Sequence, residues 1–517
     1  MMSHKLTYLA FIHIGSELIS FRITEYRNDG RKRTVEEAVT QVRLGEETFK
    51  NKRLSHETVA NVCELLKGFK KLMKTYEVEK YSAVATTAVR EAENRFYLLD
   101  QIYIKTGIKV TTANMPYEIY TKFIVIKKNL ELRKIGKPKD NYLYADISSG
   151  GLGITFVSNG KIKYQQNLHL GIIRIKEAFA QNQRSNIHFA QALTEYISSF
   201  VDPVRLALKK EEIKYLVLSG AESEMILRIL GREVGSKKPE VIPLEEFLEL
   251  YNRTSKYNLP QIMKIFGINE SLVEIVYPTV ILYHQLLAIA PVKSIVIAKE
   301  SFLDGMELLK IGYSKEPGFA RELKDGLLSL TRSIAEKYKY DAKHAKQVEN
   351  IALVFFDKLK NRSGLKENHR VLLRAACILH DIGKFTCLRS HTDYSYQIIK
   401  DTDFMGFTEL DKTIVALTVY YHSHTLTNTY CEGIPRVPTE LVPLIGKLAT
   451  ILRLADALDR SYGQKITDCK ISISKNDLIV KIKANDNIEL EDWTFKHKAY
   501  HFTDVYGLNP ILKLEGE

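Results

Sequence analysis

Apolar and polar positions change their period several times along the chain. The opening "LTYLAFIHIG" is apolar and β-prone. "SELISFRITEYRNDG" then alternates into a turn at Asn28-Asp29-Gly30, and "EEAVTQVRLG" follows as a third strand. Between Ser55 and Tyr76 the apolar residues Val59, Val62, Leu65, Leu66, Phe69 and Leu72 recur at helical spacing, with Ser55 as the N-cap. "YSAVATTAVREAEN" predicts a buried strand that runs straight into a helix. "IKVTTANM" predicts a further strand, and "PYEIYTKFIVIKKNLEL" a helix with Pro116 in its first turn.

A charged Gly/Pro break, "RKIGKPKD", spans Arg133 to Asp140. After it, "NYLYADISSGGLGITFVSNGKIKY" repeats the opening pattern: strand, Gly-rich turn, strand, hairpin. Such an echo points to a duplicated α/β lobe. Beyond Tyr313 the periodicity becomes helical, and Val371 to Leu458 reads as all helix. "KISISKNDLIVKIKAND" alternates with period two around a polar turn and predicts a β-hairpin, followed by a short, poorly patterned C-terminus. The expected division is residues 1–130 and 131–312 for the two lobes, 313–465 for a helical module and 466–517 for a β-rich tail.

Composition narrows the class. Of 517 residues, 45% are apolar and 26% charged, a globular balance. A net charge of +13 favours a polyanionic partner, unless the surplus lysines are simply solvated. No pure basic tail of the kind that tracks nucleic acid occurs. Cys63, Cys377, Cys387, Cys431 and Cys469 are scattered and never form a CxxC pair, which predicts reduced thiols and no Cys-ligated zinc. The apolar run Leu6 to Ile14 is too short to span a bilayer, so a cytoplasmic protein is expected.

Two glycine turns occupy matching places: Gly15-Ser16 after the first strand, and Ser148-Ser149-Gly150-Gly151 after its counterpart. Turns of this kind let backbone N–H groups approach an anion. One alone serves a hairpin equally well; the matched pair fits a cleft that cradles phosphates. Thr86, Thr87 and Arg90 at a helix start add hydroxyls, free amides and a guanidinium to such a site.

These segments together resemble the exopolyphosphatase/guanosine pentaphosphate phosphohydrolase (Ppx/GppA) family. The span Ala85 to Asn94 matches the family's Ala-Thr-Ser-Ala-x-Arg-x-Ala-x-Asn, and "HLGIIRIKEAF" and "YLVLSGAES" sit where later motifs are expected. The resemblance implies an α/β plus α fold: duplicated actin-like (ribonuclease-H-like) lobes, a helical domain and a small C-terminal hairpin region. It also implies Glu118 as catalytic base and Asp146 in the phosphate cleft. Several positions depart from the pattern. The first-strand aspartate is His13, the glutamate after the second turn is Gly153, two glycines of that turn are Ser148 and Ser149, and a later threonine is Ala221. Phosphate chemistry needs carboxylates to hold a screening cation. The front cleft is therefore expected to bind anions through Gly15, Ser16, Thr87, Arg90, Asp146, Ser149, Gly150 and Gly151 with weakened or lost hydrolysis.

"CILHDIGKF" places His380 and Asp381 together near a helix end, with His344 upstream and Asp456 downstream on periodic helices. Imidazole plus carboxylate suits a divalent metal such as Mg²⁺, Mn²⁺ or a transition metal. The order resembles the HD phosphohydrolase superfamily. That likeness implies a metal held by His344, His380, Asp381 and Asp456, with Asp381 essential to catalysis. It puts His391 and His422 where related domains place further metal-contacting histidines, and Lys384 and Arg389 near the substrate phosphate; His424 is a weaker candidate. The leading expectation is hydrolysis of phosphoanhydride bonds in polyphosphate or a guanosine polyphosphate. The alternatives are a non-hydrolytic sensor of such ligands and an HD-type nucleotide phosphohydrolase regulated by the front lobes. A homodimer is common in the family.

Overall fold

The structure, a computed structural model, describes residues 7–27, 31–137, 140–148, 150–179, 181–184, 186, 188–236, 238–299, 301–315, 317–425 and 436–515. Asn28-Asp29-Gly30, Ser149 and Cys431 lie outside the described residues. The chain divides into two compact units, Met1–Leu323 and Lys324–Glu517.

The front unit holds two sheets of matching topology. The first contains β1 (Thr7–Ile14), β2 (Leu18–Tyr26), β3 (Lys32–Gln41), β4 (Lys80–Ala85) and β5 (Thr111–Thr112) in the order β3-β2-β1-β4-β5. The second contains β6 (Tyr142–Ile147), β7 (Leu152–Ser158), β8 (Lys161–Leu168), β9 (Tyr215–Ser219), β10 (Glu240–Pro243) and β11 (Ser294–Ile297) in the order β10-β11-β9-β6-β7-β8. In each, a three-stranded antiparallel meander continues into parallel strands fed by helices. The expected strand at "IKVTTANM" shrinks to Thr111–Thr112, because only these two central residues pair with the end of β4.

Local chemistry explains the elements. Ser55 caps the His56–Thr75 helix by accepting from the Thr58 amide, worth about 1 kcal/mol. Its buried face, Val59, Val62, Leu66 and Phe69, packs on the first sheet, where Phe69 stacks on Phe21 at 4.5 Å. Asn114 caps the Met115–Leu132 helix in the same way. Asn159 and Gly160 take positive φ in the tight β7–β8 turn, as that hairpin type requires.

The rear unit is helical, with a three-stranded sheet at its C-terminus. The Ala342–Ser363, Glu367–Leu379, His391–Asp401, Glu409–Tyr421 and Val442–Ala457 helices pack around a core that includes Val348, Phe355, Leu373, Ile445 and Leu452. Buried Glu349 ties this packing to Arg374 at 2.6 Å and Arg332 at 3.2 Å. The expected hairpin forms as β12 (Ile466–Ser474) and β13 (Asp477–Ala484), joined by parallel β14 (Asn509–Leu514). Between them runs an 18-residue helix, Glu489–Tyr506, where the sequence shows no pattern. It buries only Glu491, Thr494, Phe495 and Phe502, too few for a clear apolar stripe. Cys63, Cys377, Cys387 and Cys469 are free thiols. No helix among the described residues is long and apolar enough to cross a membrane.

Gly153, in the place of the family's glutamate, is packed rather than open. A Cβ there stands 2.2 Å from the Ile119 side chain. Gly153→Glu is expected to destabilise the front unit by about 1–3 kcal/mol through overpacking. Combined with Ile119→Ala, the loss is expected to be smaller than the sum of the two single losses. Denaturant unfolding of the three variants measures this; strict additivity would contradict the packing.

Candidate functional site

In the front unit the ends of β1, β4 and β6 and the Met115–Leu132 helix converge on a cleft of about 330 Å³. Its lining includes His13, Gly15, Ser16, Thr87, Glu118, Lys122 and Glu222. Glu118 and Lys122 lie one helical turn apart and point the same way. The Lys122 ammonium sits 3.1 Å from Asp146 and 3.8 Å from Glu118. Asp146 also accepts from Ser219 at 2.9 Å. The two carboxylates expected to meet a divalent ion are thus bridged by a side-chain cation. Burial raises the Asp146 carboxyl above its usual value, while Lys122 opposes that rise.

The expected phosphate cradle is used internally. Thr87 donates to Glu118 at 3.1 Å, and Arg90 reaches Thr87 at 2.9 Å, the Ala113 carbonyl at 2.6 Å and Glu118 at 3.5 Å. The Gly15 amide donates to Leu18, and the Ser16 carbonyl accepts from Gly45. Gly150 lies so close to Thr87 that a Cβ there falls 2.5 Å from its methyl, and Gly151 packs against Met115. Among the described members of the expected anion set, Gly15, Ser16 and Thr87 line the cavity, and Arg90, Asp146, Gly150 and Gly151 are not part of its lining.

His13, in the place of the family's aspartate, sits 3.2 Å from the Thr86 hydroxyl and against Phe302. Burial lowers its pKa to about 4, so the ring is neutral near pH 7. Glu222, missed by sequence reasoning, is buried beside the cavity, and burial lifts its carboxyl to about 7.

In the rear unit the predicted residues come together. His344, His380 and Asp381 each present a ligand atom within 4.8 Å of the others. The Nε2 atoms of His344 and His380 are 3.2 Å apart, and an Asp456 oxygen lies 3.5 Å from the first and 3.8 Å from the second. His391 approaches Asp381 at 3.6 Å, and the His422 ring lies 5.4 Å from that of His380. His424 turns away, bonding Thr392 and stacking on Tyr420. Lys384 bonds Asp381 at 2.7 Å, while Arg389 is exposed.

The hydrogen bonds fix the tautomers. Nδ1 of His380, His391 and His422 faces the carbonyl of Cys377, Leu388 and Val419 respectively. A carbonyl can only accept, so each Nδ1 carries a proton and Nε2 is the ring atom left to face a metal. His344 Nδ1 bonds Asp459 at 2.9 Å with the same effect. Two imidazole Nε2 atoms 3.2 Å apart in a buried site call for a cation between them, a proton in the metal-free protein or a metal ion in its place. This arrangement fits a divalent metal, with Asp459 and the carbonyls as outer partners that orient the ligands.

Charge points the same way. Burial alone would raise the carboxyls, yet His380 and Lys384 hold Asp381 well below the usual carboxylate range, and Lys498 and His344 do so for Asp456. Burial lowers His422 to about 3, leaving it neutral. Opposing burial, bonds to Asp456 and Asp459 raise His344 to about 9, the mark of a site that attracts positive charge. Sequence reasoning missed Asp459, Lys498 and Tyr462. Asp459 had a signal, standing three residues after Asp456 in the turn that ends the Val442–Ala457 helix; Lys498, in an unpatterned segment, had none.

For His13 the folded pKa lies below the ordinary value of about 6.5. The unfolded chain therefore takes up a proton first, and the stability of the front unit falls as pH drops from about 6.5 to about 4. Thermal midpoints of wild type and His13→Asn across this range are expected to converge toward acid; parallel curves would contradict the assignment.

Comparison with known proteins places this geometry. The Ppx/GppA phosphatase family matches residues 25–310, and Ppx/GppA phosphatase domain III matches residues 329–498. A bifunctional 3-dehydroquinate synthase/phosphatase of Fusobacterium nucleatum is 28% identical over 181 residues, covering 34% of this chain and 27% of that protein. A guanosine-5'-triphosphate,3'-diphosphate pyrophosphatase of Aeromonas salmonicida is 21% identical over 425 residues, 81% of each chain. The crystal structure of an Aquifex aeolicus family member superposes with a TM-score of 0.51 at 17% identity, covering 60% of this chain and all of that one, which establishes the shared fold. The duplicated sheets in the front unit and both family matches lead to one assignment: the chain belongs to the Ppx/GppA phosphatase family.

Proposed function

We propose that this protein is a metal-dependent phosphohydrolase whose rear unit, an HD-type domain, carries the chemistry, acting on phosphoanhydride bonds of polyphosphate or a phosphorylated guanosine nucleotide. The observation that carries the reading is the pair of preoriented Nε2 atoms on His344 and His380, 3.2 Å apart beside Asp381 and Asp456. His344, His380, Asp381 and Asp456 would hold the ion, with His391 and His422 at its flank. A bound divalent ion screens phosphate charge and activates water. The chain's own residues do the rest. Asp459 and the Cys377 carbonyl hold the imidazoles in the ligating tautomer, Lys498 keeps Asp456 ionised, and Lys384 brings a cation to the substrate side.

The front cleft, in this reading, does not hydrolyse. Lys122 occupies the space between Asp146 and Glu118, His13 is uncharged, and Lys299 is paired with Glu224 at 3.5 Å. These cations are already matched to carboxylates, which leaves little surplus charge for a polyanion. The cavity that remains favours a ligand-sensing role for the front unit as a second reading.

Phosphate release from polyphosphate, guanosine pentaphosphate and simple nucleotides, measured beside metal analysis, tests this. Asp381→Ala is expected to lose activity by at least about a hundredfold together with bound metal, since several kcal/mol of metal stabilisation disappear. Glu118→Gln is expected to change the rate by less than about twofold, the mark of a residue outside the chemistry. Mg²⁺-dependent release that survives removal of the C-terminal module but not Glu118→Gln would reverse the assignment.

A further inference from the structure

Tyr462 stands in the loop after the Val442–Ala457 helix with φ of 57°. An aromatic residue in the left-handed region is strained, and such strain persists where the surroundings over-determine it. They do so here. The Tyr462 amide donates to the Asp459 carbonyl at 2.9 Å, and Gln464 bonds both Asp459 and the Tyr462 carbonyl. Its ring stacks on that of His344, centroids 3.7 Å apart and planes 23° from parallel. Its phenol donates to Asp381 Oδ2, and the Lys384 ammonium meets both that phenol and the same oxygen.

Asp381 Oδ2 is also the oxygen facing Nε2 of His380 at 3.5 Å and of His344 at 3.7 Å. Two strong donors, a phenol and an ammonium, therefore converge on an anionic oxygen that lies as close to the imidazole pair as the Asp456 oxygen does. Building on the metal reading above, in which Lys384 faces the substrate, we propose that Tyr462 completes the phosphate-oxygen subsite of the rear unit by supplying its neutral donor. With Asp381 committed to a cation, the phenol and ammonium keep their places but lose the demand of that oxygen. They then present an O–H and an N–H group, side by side, to an anion of the same size and charge density. A phosphoryl oxygen matches this, and charge-assisted bonds from fixed donors are the strong kind. The stacked ring limits the phenol to this direction, so the strained backbone has a consequence at the site.

Tyr462→Phe keeps the stacking ring and removes only the donor. Calorimetric titration of the full-length protein, first with Mn²⁺ and then, in the Mn²⁺-loaded state, with inorganic phosphate, separates the roles. The expected result is unchanged Mn²⁺ affinity and phosphate binding weakened about tenfold or more, the worth of one bond to a charged group. Phosphate binding equal to wild type would overturn the inference and leave the metal reading intact. Weakened Mn²⁺ binding with unchanged phosphate affinity would also overturn it, showing that the phenol serves Asp381 alone. Failure of the wild type to bind Mn²⁺ would remove the metal reading and this inference with it.

Discussion

A carboxylate withdrawn from water costs several kcal/mol unless a cation meets it at close range. Both units of this chain bury carboxylates at the point where their elements converge, and they meet that cost differently. In the front unit Asp146 and Glu118 share the Lys122 ammonium, supplied by the same helix that carries Glu118. That solution is complete within the protein. In the rear unit Lys498 meets one oxygen of Asp456 while the other faces two imidazole nitrogens, and Lys384 meets the same Asp381 oxygen that faces those nitrogens. That arrangement attracts positive charge to the imidazole pair, as the raised His344 shows.

Helix ends make the rear arrangement possible. The last carbonyls of a helix lack backbone partners. His380 and His422 both occupy the C-cap of their helices, and each turns its Nδ1 back onto a carbonyl three residues earlier. One bond satisfies the helix end and selects the tautomer that ligates. Gly383 then lets the His391–Asp401 helix approach closely: a Cβ there falls 2.0 Å from the His391 carbonyl. The glycine of "HDIGK" thereby places His391 beside Asp381.

The same logic explains why family motifs persist in the front unit without the family's charge pattern. The span Ala85 to Asn94 still builds a strand that enters a helix, and Thr87 and Arg90 still face Glu118. Yet with His13 neutral and Gly153 pressed against Ile119, these donors bond one another and Glu118. A retained motif here preserves a framework, because its hydrogen bonds close within the protein.

The sequence by itself determined the elements that carry a local pattern, and their order; the Glu489–Tyr506 helix carries none. Strand alternation, helical spacing from Val59 to Leu72, the Ser55 cap and the repeated strand-turn-strand pattern are local, and local periodicity is written in neighbouring residues. It also named His344, His380, Asp381 and Asp456, because residue type and order survive without coordinates. Tertiary structure alone decided which side chains compensate which. Lys122 between two carboxylates, Asp459 behind His344, Tyr462 on His344 and Asp381, and Lys498 on Asp456 join positions up to 118 residues apart. Charge compensation depends on distance in space, and nothing in a linear pattern encodes that distance.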